Sequence, residues 1–191
     1  MTLSEIISRL SSQNSQKDRD EAIKLLYSQL GATKVLIMPE EGMSCWKNAA
    51  NVLKIIGRPY IDPAIPGMFC WLRDMTYPGY DVVYRILKDS LPKRNLAEYL
   101  EIAANKAISQ GDKDWFYNLS NLCFDASLLK KDFLDEKVYL LLKRVNSGEN
   151  IEMEYKVNNE YDEMLKREVG NQTFIKEDKF NWKVKRKILR Y

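Results

Sequence analysis

A chain of 191 residues with 45% hydrophobic content can bury one continuous core, as a single domain or a domain with a small appendage, which excludes disorder throughout. Thirty basic against 27 acidic residues leave a net charge of only +3, too balanced to announce a nucleic-acid or membrane partner by itself. Histidine is absent altogether, which removes the usual general base near neutral pH, the partner of a Ser or Cys nucleophile, and the commonest transition-metal ligand.

From the N-terminus, Met1 to Glu21 is polar and amphipathic with no apolar core of a leader, and the longest apolar runs, such as Val138 to Leu142, span five residues. Neither a secretory signal nor a membrane span is expected, and the expected location is cytoplasmic. Asp20 to Leu30, closed by Gly31, has helical spacing, as does Ser44 to Ile56, closed by Gly57, where Trp46, Ala49, Ala50, Leu53 and Ile56 share a face. Leu96, Tyr99, Leu100, Ala103, Ala104, Ala107 and Ile108 recur at three-and-four spacing and predict a helix over Asn95 to Gln110. Asn95 would be its N-cap, and Gly111 the left-handed residue after its end. Val138, Leu141, Leu142 and Val145 predict another helix, stopped by Gly148. Pro39, Pro59, Pro63 and Pro66 fall in or beside loops, and Pro78 and Pro92 near helix ends, where a missing N–H costs little. Short connections between such helices favour antiparallel pairs, stacked as a short α-solenoid or gathered in a bundle. Cys45, Cys70 and Cys123 are odd in number and unpaired in spacing, and read as buried small hydrophobes in a reducing compartment.

The pattern changes after Gly148. Ile151, Met153, Tyr155 and Val157 alternate with Glu152, Glu154 and Lys156, and Phe180, Trp182 and Val184 alternate with Asn181, Lys183 and Lys185. Two short strands around a helix at Glu160 to Val169 are one reading of residues 149–191, and a basic C-terminal helix is the other. From Lys176 to Tyr191 seven basic and two acidic residues give a local +5, so the rest of the chain nets −2. The interleaved aromatics and cations of Trp182, Lys183, Lys185, Arg186 and Lys187 suit a single-stranded nucleic-acid platform, or a strand with one buried and one solvated face.

Between residues 36 and 87 the chain reads Leu36-Ile37-Met38-Pro39, then Trp46, Ala49, Ala50, Leu53 and Gly57, then Pro63 and Ile65. It continues through Trp71-Leu72-Arg73-Asp74-Met75-Thr76-Tyr77-Pro78-Gly79 to Ile86 and Leu87. This stretch resembles a small bacterial family with HEAT-like helical pairs and a Trp-Leu-x-Asp-x-Asn-Trp-Pro signature, departing from it at Thr76, where the family has Asn, and at Tyr77, where it has Trp. The resemblance implies a HEAT-like fold and, by association with members taken to neutralise toxins, an immunity protein whose partner is a cognate toxin. The residues themselves point to a helix-turn-helix corner. Trp71 and Leu72 end one helix, Asp74 accepts backbone N–H groups at the start of the next, and Pro78 presets its first turn. Arg73 and Tyr77 would be its exposed members, and with Asp74 they form the expected partner-binding set, since exposed Arg and aromatic side chains typify protein-binding hot spots.

No phosphate-binding glycine loop, nucleophile elbow or zinc spacing appears. Asp74, or the pair Glu152 and Glu154, would be the carboxylates of a histidine-free enzyme or a magnesium site. The expectation is therefore a mainly α protein with a HEAT-like helical domain over 1–148 and a small α/β or helical appendage over 149–191. It is expected to be non-catalytic, without cofactor, metal or membrane association, and to bind another protein. Nucleic-acid binding through the tail is the alternative.

Overall fold

A computed structural model describes residues 1–28 and 30–149, with the backbone alone for residues 30–32. The described chain is all-α: eight helices, α1 (Leu3–Ser8), α2 (Gln16–Tyr27), α3 (Met43–Ile56), α4 (Ile65–Trp71), α5 (Tyr80–Ser90), α6 (Lys93–Gln110), α7 (Lys113–Asp125) and α8 (Glu136–Asn146), with three short 3-10 segments between them.

From α3 onward the helices touch in two ways. Consecutive helices pack as pairs, α4 on α5, α6 on α7 and α7 on α8; every second helix also packs, α3 on α5 and α5 on α7 in one layer, α4 on α6 and α6 on α8 in the other. That alternation is the two-layer stack of a solenoid of helix pairs. The pairs run antiparallel. Between α7 and α8, Ser120 Oγ donates to the carbonyl of Leu142 at 2.8 Å while the rings of Phe124 and Tyr139 lie 6.0 Å apart, so rising numbers in one helix meet falling numbers in the other. Helices α1 and α2 pack together and against α3 at the N-terminal end.

Local chemistry accounts for most boundaries. Thr2 caps α1 in a capping box with Glu5, and Ser15 caps α2 by accepting the N–H of Asp18. That cap starts α2 four residues before the expected Asp20, and the chain beyond Tyr27 tightens into a 3-10 segment at Leu30–Leu36, so Gly31 does not close the helix. Helix α3 ends at Gly57 as its spacing predicts, and α6 ends at Gly111 in the left-handed conformation, φ +63°. The start of α6 differs from expectation: Pro92 is its N-cap and Asn95 lies in the first turn, because a proline just outside the helix sets φ without losing a needed donor.

The core is continuous from Ile6 to Leu142 and includes Trp46, Trp71 and Trp115, all essentially without exposed surface. The three cysteines are free and buried, as expected. Among the described residues no helix is long and apolar enough to cross a membrane. The strands at Ile151–Val157 and Phe180–Lys185, the helix at Glu160–Val169 and the basic tail lie outside the described residues.

Candidate functional site: a groove between the corner and α7

Residues 72–79 form the corner between α4 and α5, held from inside by indoles. Trp71 Nε1 donates across it to the carbonyl of Pro78 at 3.0 Å. From α3, Trp46 meets Trp71 edge-on at 6.1 Å and Tyr77 at 5.2 Å, and its own Nε1 donates to the carbonyl of Pro39. Gly79 lets the corner come down on α3. At φ +89°, a Cβ there would stand 2.8 Å from the Cβ of Ala50 and 3.2 Å from the carbonyl oxygen of Trp46.

Asp74 works inside the corner and not at the head of α5. Its Oδ1 accepts the N–H of Thr76 at 2.9 Å and the Thr76 hydroxyl at 2.7 Å, a local turn of the Asx type. Helix α5 begins only at Tyr80 after the left-handed Gly79, so Pro78 precedes the helix instead of lying in its first turn.

Arg73 reaches the other way. Its Nε lies 3.3 Å from Asp112 Oδ2, its Nη2 donates to Gln110 Oε1, and its guanidinium lies 4.7 Å over the ring of Trp115. Asp112 is also the N-cap of α7, accepting the N–H of Trp115 through Oδ1. Two further bonds tie α7 to the end of α4: Trp115 Nε1 donates to Phe69 O at 2.9 Å and Asn118 Nδ2 to Leu72 O at 2.8 Å.

Of the expected set, Arg73 and Asp74 are therefore brought to one place, and Tyr77 faces Trp46 instead. The expectation that Arg73 and Tyr77 are the exposed members is corrected, since both are partly buried and engaged in packing. The exposed large apolar side chains are Met75, 58% accessible, and Tyr117 on α7, 48% accessible, with Thr76 and Asp114 exposed beside them. Between them lies an open depression of about 170 Å³ lined by Arg73, Asp74, Met75, Thr76, Asp114, Tyr117 and Asn118. Sequence reasoning missed the α7 side. The signal was present as Asp114 and Tyr117 three residues apart on one helix face, but nothing in the sequence says that α7 lies beside the corner.

Among the described residues no group of Cys, Asp and Glu is arranged to hold a metal ion. The Glu152 and Glu154 pair and the set Trp182, Lys183, Lys185, Arg186 and Lys187 lie outside the described residues. Comparison with family models, with curated proteins and with solved structures finds no match to this chain.

Proposed function

We propose that this protein is a non-catalytic, stoichiometric protein-binding module whose contact surface centres on the groove between the corner and α7. The observation that carries this reading is the placement of Met75 and Tyr117, a flexible thioether and an aromatic ring, as solvent-facing walls of a depression where Asn118 is fixed by a buried hydrogen bond to Leu72. A preorganised side chain lowers the ordering cost of association, and the two walls supply anchors a partner can bury. Asp74 lines the same depression, which the enzymatic alternative requires, but its Oδ1 accepts both the N–H and the hydroxyl of Thr76 in a local turn, and the groove offers no cysteine. The finer reading, that the partner is a toxin neutralised by occlusion, rests on the family resemblance of residues 36–87.

Affinity purification of the tagged protein from its native cell at low and high salt tests the proposal. One protein should co-purify in stoichiometric amount at both salt concentrations and be lost with Met75→Ala/Tyr117→Ala. Neutralising Lys183, Lys185, Arg186 and Lys187 should leave its capture unchanged. Recovery of nucleic acid alone, released by salt and abolished by the tail substitutions, would instead support the alternative.

A further inference from the structure

We infer that the groove is an arginine pocket: it receives the guanidinium of an arginine presented by the partner, and so deepens the protein-binding reading on which it rests. Helix α7 carries two similar recognition sets side by side. In the first, the Asp112 carboxylate, the Trp115 ring three residues on and the amide oxygen of Gln110 surround the guanidinium of Arg73. In the second, Asp114 and Tyr117 have the same three-residue spacing, which puts them on one face, and Asn118 supplies the amide oxygen.

Three observations mark the second set as built to accept donors. Asn118 is only 3% exposed, and its Nδ2 is used on Leu72 O, yet its side-chain carbonyl has no hydrogen-bond partner among the described residues. No unpartnered side-chain oxygen or nitrogen is sealed from solvent in the described chain, so this oxygen opens on the groove that Asn118 lines. Asp114 is exposed and has no ion-pair partner among the described residues. The sole cation in the lining, Arg73, is turned to Asp112, so the groove presents oxygen acceptors between the Met75 and Tyr117 walls.

A planar guanidinium carries five N–H donors in a fixed fork. It can bond the Asn118 oxygen and the Asp114 carboxylate together while its face lies on Tyr117, as Arg73 lies on Trp115. An ammonium is a compact, strongly hydrated point charge and matches this spread of acceptors less well.

The test is a titration of the full-length, isotopically labelled protein with N-acetyl-arginine amide, followed by amide and side-chain NMR. N-acetyl-citrulline amide, the neutral near-isostere, and N-acetyl-lysine amide serve as comparisons. Saturable shifts at Met75, Asp114, Tyr117 and the Asn118 side chain are expected, with citrulline weaker by about tenfold, as loss of a charge-assisted hydrogen bond requires. Asp114→Asn, which removes the exposed carboxylate from the first turn of α7 and should lower the melting temperature only slightly, should weaken arginine binding by a similar factor. Equal shifts with citrulline, or arginine shifts that avoid the groove, would overturn the inference. Capture of the partner in a Met75- and Tyr117-dependent manner together with such a negative titration would sink the arginine pocket alone. Failure of the unsubstituted protein to capture any stoichiometric partner would remove the parent reading.

Discussion

At the scale of single residues, Gly79 is the position where substitution is most directly constrained. Its positive φ disfavours any L side chain, and a methyl group would meet Ala50 and the backbone of α3 inside contact distance. Gly79→Ala should cost about 1–3 kcal/mol in stability, read as a lowered urea midpoint, because both the strain and the clash must be absorbed by moving the corner off α3. Tyrosines supply a pH signature. The rings of Tyr80 and Tyr84 stack at 5.7 Å, Tyr84 donates to Asp125 Oδ2 at 2.8 Å, and burial, then the Asp125 charge, pushes Tyr80 up from 10.0 to about 12; Tyr84 is raised further still, first by burial and then by its bond to Asp125. The folded chain thus keeps protons that the unfolded chain releases. The stability these groups contribute is whole below pH 10.0 and is lost as the pH rises toward about 12. Burial also raises the thiols of Cys123 and Cys45 from 9.0, the former to about 12. Denaturation midpoints should therefore begin to fall as the pH approaches 9.0 and fall further above 10.0, where Tyr84→Phe should flatten the fall. The candidate site was half legible at this scale: Arg73 and Asp74 stand out in the sequence, but their exposure does not, because the partners that bury Arg73, Gln110 and Asp112, are 37 and 39 residues away.

Among the elements, α7 is the hinge of the arrangement, with hydrogen bonds to α4 through Trp115, to the corner through Asn118 and to α8 through Ser120. The lead-in to α8 is held by a residue of another helix: Glu101 of α6 accepts the N–H groups of Leu134 and of Asp135, the N-cap of α8, at 2.9 and 3.2 Å. Glu101→Ala should therefore lower stability by about 1 kcal/mol, as loss of a charge-assisted acceptor implies, with loss of hydrogen-exchange protection centred on the amides of Leu134 and Asp135 just ahead of α8. Helices with strong three-and-four spacing, such as α3 and α6, were readable because the pattern that buries them is local. The start of α2 was not, since its cap is an ordinary serine followed by a polar turn, and the lag before Ala22 hides the first turn from any count of apolar residues.

At the scale of the molecule, alternate helices form two layers, and one core runs through both. Helix pairing was legible from connection lengths; the order of the layers was not, because it depends on which helices two apart in sequence make contact. The groove is a product of that order. It exists because α5 packs on α7 and brings the corner ahead of α5 beside α7's first turn, so its two walls come from segments about 40 residues apart. The three core tryptophans carry a further consequence. Trp46, Trp71 and Trp115 each donate an indole N–H to a carbonyl outside their own helix, and Trp46 and Trp71 stand edge-on to one another. Rings fixed in such asymmetric surroundings give near-ultraviolet circular dichroism a strong, sharp signature. Since Trp71 is the latch of the corner, that optical band reports on the geometry of the corner beside the groove and on global unfolding alike.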